Sequence, residues 1–108
     1  MDLLWAGPDD AASTVVLAHS AGAPMDSAWM TTICTLLGDR GIRTARFEFA
    51  YMAGRRQGVR RPPPKAENSM GEYRDAVAEI VRTAGSPVII GGKSYGGRVA
   101  SLVADELL

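Results

Sequence analysis

The stretch Pro87 to Gly97, Pro-Val-Ile-Ile-Gly-Gly-Lys-Ser-Tyr-Gly-Gly, constrains this chain more than any other. A short apolar run, Val88-Ile89-Ile90, ends in glycines, presents one serine and passes straight into a helical pattern, Arg98 to Leu107. This is the layout of a nucleophile elbow, G-x-S-x-G, here Gly92-Lys93-Ser94-Tyr95-Gly96. A serine at the tip of a strand-to-helix turn needs strained backbone. The residues two before and two after it approach too closely to carry side chains, which Gly92 and Gly96 satisfy. The following helix aims free N–H groups and its positive dipole end at the place where an oxyanion forms, so the N–H of Tyr95 is a candidate donor.

Two other readings compete for the same residues. Gly-Lys-Ser also closes a phosphate loop, but G-x-x-x-x-G-K-S needs glycine at position 87, where Pro87 stands. The residues between are apolar and strand-like, whereas a phosphate loop needs pliant backbone. A glycine-rich strand-to-helix turn with an incidental serine stays open on these residues alone.

The rest of the chain sets the frame. Its 108 residues, 46% hydrophobic and 22% charged, make one domain. A formal net charge of +0 gives no general attraction to nucleic acid or to an anionic membrane. A single cysteine, Cys34, excludes an internal disulfide framework and falls among apolar helix positions as a packed residue. No run approaches the roughly 20 apolar residues of a membrane span and no leader opens the chain, so a cytoplasmic setting is expected. No cofactor and no metal is called for.

In chain order, Leu3 to Ala6 reads as a sheet-edge strand closed by Gly7-Pro8-Asp9-Asp10. Thr14 to Ala18 reads as a strand buried on both faces. It ends at the small residues His19-Ser20-Ala21-Gly22-Ala23-Pro24, after which Asp26 or Ser27 caps a helix with the stripe Trp29, Ile33, Leu36 and Leu37. Ile42 to Phe49 is the next strand, with Arg43 and Arg46 near its ends or at an edge. Ala50 to Glu67 reads as a long loop carrying Arg55, Arg56, Arg60, Arg61 and Lys65, five of the 12 basic residues. A loop this basic is either a solvated mobile segment, the favoured reading, or a rim that attracts an anion. Ser69 and Glu72 form a capping box for a helix with the stripe Tyr73, Val77, Ile80 and Val81, ended by Gly85. In the last helix Val99, Leu102, Val103 and Leu107 face the sheet.

The order β, then β-α-β-α-β-α predicts an α/β fold: a three-layer α/β/α arrangement with a mainly parallel sheet. Right-handed crossovers place the Thr14 strand between the Ile42 and Val88 strands. The gap between the Thr14 and Val88 strands is then a switch point, where open α/β sheets bind ligands. The loop after Ala18 and Ser94 meet there, so that loop is placed to give a second oxyanion donor.

Three blocks, Val16 to Ser27, Arg46 to Met52 and Gly91 to Arg98, resemble the small bacterial α/β-hydrolases described as dienelactone-hydrolase-like, the group related to the human KANL and TEX proteins. The resemblance covers nearly the whole chain, with the blocks in the family's order. It implies Ser94 as nucleophile, Tyr95 as oxyanion N–H donor and His19, Ser20, Ala21 and Gly22 as the oxyanion loop. Ser20 departs from the glycine that such a loop carries after its histidine.

In the resembled fold the triad acid and base follow later strands. Here the 14 residues after Ser94 contain no histidine, and Asp105 and Glu106 lie about three turns along the helix. The chain is therefore expected to be the N-terminal portion, residues 1–108, of a single truncated α/β-hydrolase domain. The expected function is that of a serine hydrolase acting on a small ester or related acyl substrate, weak or inactive in this form. The alternative is a non-catalytic interaction module. The elbow strand should stand at a sheet edge able to self-associate or to pair with another segment.

Overall fold

The structure, a computed structural model, describes residues 1–107, and side chains through Glu106. Four strands, β1 (Leu4–Ala6), β2 (Thr14–Ala18), β3 (Arg43–Phe47) and β4 (Val88–Gly92), form one sheet in the order β1-β3-β2-β4. β2 pairs in parallel with both β3 and β4, and β1 runs antiparallel to β3. The central placement of β2 and the edge position of β1 agree with the sequence pattern. The helices are α1 (Ala28–Asp39), α2 (Ala50–Arg55), α3 (Met70–Ala84) and α4 (Tyr95–Leu107), with a 3-10 turn at Ala66–Ser69.

One face of the sheet carries the core. Val16, Ala18, Ala45 and Phe47 pack there against Tyr73, Ala76, Ile80, Val99 and Val103 from α3 and α4. The other face is covered only over β3 and β1, by α1. β2 accordingly alternates, with Thr14, Val16 and Ala18 buried and Val15 and Leu17 half-covered, rather than being buried on both faces. Ile89, register partner of Val15, is 53% exposed on that thin side. β4 forms the outer edge of the sheet.

Several local expectations change once the layers are in place. In α1 the buried positions are Met30 and Cys34, whereas Trp29 and Leu36 are 47% and 55% exposed. The helix is rotated because only β3 and β1 lie beneath it. Ser27 caps it, its Oγ accepting the N–H of Met30 at 3.3 Å. Arg46 is buried rather than at an edge, donating to the Met25 carbonyl at 3.0 Å and the Thr31 hydroxyl at 3.2 Å. The expected capping box is not formed. Glu72 instead accepts the N–H of Ala50 at 2.6 Å and so starts α2, while the Ser69 hydroxyl meets the Tyr95 hydroxyl at 2.7 Å. The segment read as one loop thus contains α2, whose Tyr51 and Met52 are buried. In α3, Val81 faces solvent and Ala76 takes its place in the buried stripe. The side chain of Leu107 lies outside the described residues.

Candidate active site

Among the described residues Ser94 is the one non-glycine with positive φ, at 53°, and it is exposed. Left-handed backbone at a residue other than glycine costs energy and persists only where its surroundings impose it. Here they do. A Cβ on Gly92 would lie 2.5 Å from the carbonyl carbon of Gly96, and a Cβ on Gly96 would lie 2.5 Å from the carbonyl oxygens of both Ala18 and His19. A Cβ on Gly97 would lie 2.8 Å from the Gly92 carbonyl oxygen. The N–H of Lys93 donates to the Ala18 carbonyl at 3.1 Å, which ties the start of the turn to β2. Ser94 therefore sits at the tip of the turn, at the carboxyl ends of β2 and β4, and Tyr95 opens α4 behind it, its N–H meeting no acceptor among the described residues. The Lys93 ammonium lies 4.5 Å from the centre of the Trp29 ring, a cation–π contact that accounts for that exposed indole.

The loop after β2 is held from every side. His19 is fully buried. Its Nδ1 is 2.7 Å from the Ser20 carbonyl and its Nε2 accepts the N–H of Phe49 at 3.1 Å, which fixes the neutral tautomer with the proton on Nδ1. Burial holds the imidazole below its ordinary range, against weaker opposing pulls from the Ser20 carbonyl and the Glu48 charge. Because the peptide is planar and trans, a Ser20 carbonyl aimed at the ring sends the N–H of Ala21 the opposite way. The Ala21 carbonyl in turn accepts the Tyr51 hydroxyl at 3.0 Å. Further along, the N–H of Met25 donates to Glu48 at 3.1 Å and its carbonyl accepts from Arg46. Glu48 pairs with Arg56 at 2.6 Å, and Arg56 also reaches Asp26 at 2.8 Å. Burial raises the Glu48 carboxyl, but the hydrogen bond from Arg56 and that from Met25 outweigh it and leave it below its usual value.

An aromatic cluster joins this loop to the elbow. The Tyr51 ring is 5.8 Å from the Tyr95 ring and 5.8 Å from His19, and Phe49 lies 5.2 Å from His19 and 5.6 Å from Tyr95. The Tyr95 hydroxyl donates to the Pro64 carbonyl at 2.9 Å and so accepts from Ser69. Desolvation pushes the Tyr51 phenol up to about 12, so it acts as a neutral donor.

Thus Ser94, Tyr95, Gly92, Gly96 and the His19–Gly22 loop come together at one end of the sheet, as their sequence positions suggest. The residues 11–107 match the family described as Alpha/beta hydrolase domain. The chain belongs to the α/β-hydrolase domain family. None of the curated proteins matches it. Membership in this α/β-hydrolase family accords with the turn at Ser94 following a parallel strand. It also fits the mainly parallel sheet with helices on both sides. No described helix is long and apolar enough to cross a membrane.

Sequence reasoning did not pick out Phe49, Tyr51 or Glu48 as parts of the site, and named Arg56 only within the basic stretch read as a solvated segment or an anion-attracting rim. The alternation Phe47-Glu48-Phe49-Ala50-Tyr51 is the one local signal, since aromatic residues running past the end of a strand need a place to pack.

Proposed function

We propose that this α/β-hydrolase domain performs acyl chemistry on an ester or related small-molecule substrate, with Ser94 as nucleophile. The observation that carries the reading is the strained, exposed Ser94 at φ 53°, packed by Gly96 against the His19 carbonyl. In the reaction Ser94 Oγ attacks the acyl carbon and the carbonyl oxygen becomes an oxyanion. The N–H of Tyr95 and that of Ala21 are its donors. Collapse of the tetrahedral intermediate expels the alcohol and leaves an acyl-serine, which water then cleaves. The three sequence blocks support placement with the dienelactone-hydrolase-like group related to the KANL and TEX proteins, and a cytoplasmic setting is part of the proposal.

Attack requires that the Ser94 proton be taken up. The chain's single histidine has both ring nitrogens committed, and Asp26, Glu48 and Glu72 are engaged in ion pairing or capping. Neither that histidine nor these three carboxylates is free to take it, so on this proposal the 108-residue chain gives weak turnover or none unless a base is added. A second reading, a non-catalytic interaction module, draws on the outer edge of β4, which carries neither proline nor charge and shows a half-exposed Ile89.

Hydrolysis of p-nitrophenyl acetate with and without added imidazole separates the two. The enzyme reading expects a rate in imidazole above the protein-free imidazole reaction, an excess that disappears in Ser94→Ala. Equal rates for wild type and variant favour the interaction module.

A further inference from the structure

Beside the oxyanion loop, a cavity of about 290 Å³ is lined by Gly22, Pro24, Met52, Arg55, Arg56 and Arg60. Three guanidinium groups in so small a space repel one another unless negative charge answers them. Arg56 has its answer in Glu48 and Asp26. Arg55 and Arg60 meet no carboxylate among the described residues. The Arg55 Nε–H is shielded from solvent and has no acceptor among the described residues, so no protein group answers its charge there. Arg55 is also held in place, its guanidinium carbon 5.6 Å above the Tyr51 ring and one of its N–H groups reaching the Arg61 carbonyl at 3.4 Å. Tyr51 is the residue whose hydroxyl fixes Ala21. The segment from Met52 to Lys65 contains no acid that could compensate locally.

We propose that Arg55 and Arg60, at the rim formed by Gly22, bind an oxyanion group, a carboxylate or a phosphate. The ligand is either the charged arm of the acyl substrate, which rests on the Ser94 reading and extends it, or a free anion acting on the loop. The basic stretch is then a recognition surface rather than solvated filler. Arginine suits it because its planar fork of donors matches the oxygens of both groups.

The test is titration of the 108-residue chain with inorganic phosphate at low ionic strength, following the Arg55 Nε–H and Gly22 N–H resonances. Saturable shifts of both are expected, weakened about tenfold in Arg55→Met, the loss of a charge-assisted pair. Arg60→Met, at an exposed position where folding is not at stake, should weaken binding severalfold, whereas Arg82→Met on α3 should leave it unchanged. Absence of saturation, persistence in both cavity variants, or an equal loss in Arg82→Met overturns the proposal. Displacement of phosphate by monoethyl succinate at concentrations where acetate has little effect supports a substrate arm. Equal displacement by monoethyl succinate and acetate supports a free anion, and equal displacement by neutral ethyl acetate overturns the site. Ser94→Ala should leave the titration intact, so failure of Ser94 chemistry and failure of this site are read separately.

Discussion

The Cα of Gly96 lies so near the carbonyl oxygen of His19 that a methyl group there would sit 2.5 Å from it. This contact seats the elbow against the loop after β2, and through it the position of Ser94 depends on that loop. Gly96→Ala must push apart two backbone segments, neither of which is a flexible side-chain end. Overpacking of this kind costs about 1–3 kcal/mol. Urea unfolding should show that loss, while Gly22→Ala, with nothing within 4 Å of the added methyl, should stay within about 0.5 kcal/mol of wild type.

A pH dependence follows from the buried imidazole. His19 has a folded-state value below the ordinary 6.5, so below that pH the unfolded chain binds the extra proton first. Its contribution is complete above about pH 6.5 and is lost as pH falls toward the folded value. Protonation also removes the lone pair that accepts the Phe49 N–H. With one histidine in the chain, stability measured from pH 7.5 to 5 should fall, and His19→Asn should flatten the slope.

The Glu48–Arg56–Asp26 cluster makes a different prediction, about the loop rather than the whole fold. Glu48→Gln removes the charge that Arg56 and the Met25 N–H share. Amide exchange at Met25 should quicken by about ten- to a hundredfold while exchange in β2 holds, since one charge-assisted bond contributes about 1.5–3 kcal/mol locally.

Tyr95 joins the elbow to the 3-10 turn through its hydroxyl. In Tyr95→Phe the buried Ser69 hydroxyl loses its partner and the Pro64 carbonyl its donor. A loss of about 1–3 kcal/mol is expected, with faster proteolysis in the segment from Arg60 to Lys65.

The order of the strands was legible because it rests on short-range signals and chain geometry: apolar runs, glycine punctuation and right-handed crossovers. The tight turn at Ser94 was legible in part for the same reason, as Gly92 and Gly97 answer a close approach within six residues, whereas Gly96 answers the distant carbonyls of Ala18 and His19. Contacts between distant segments were not. Nothing near Glu72 says that it caps α2, 22 residues earlier, instead of closing a box with Ser69. Trp29 and Leu36 fit an apolar stripe, yet which side of α1 is buried depends on how much sheet lies beneath it. Arg46 looks like an edge residue until the Met25 carbonyl and the Thr31 hydroxyl are placed beside it.

The nucleophilic role of Ser94 is tested most directly by a fluorophosphonate probe, with the labelled site located by mass spectrometry in the presence and absence of imidazole. The account predicts slow modification confined to the peptide containing Ser94, quickened by imidazole and absent in Ser94→Ala. Modification spread evenly over the chain's other serines, or unchanged when Ser94 is replaced, would contradict it.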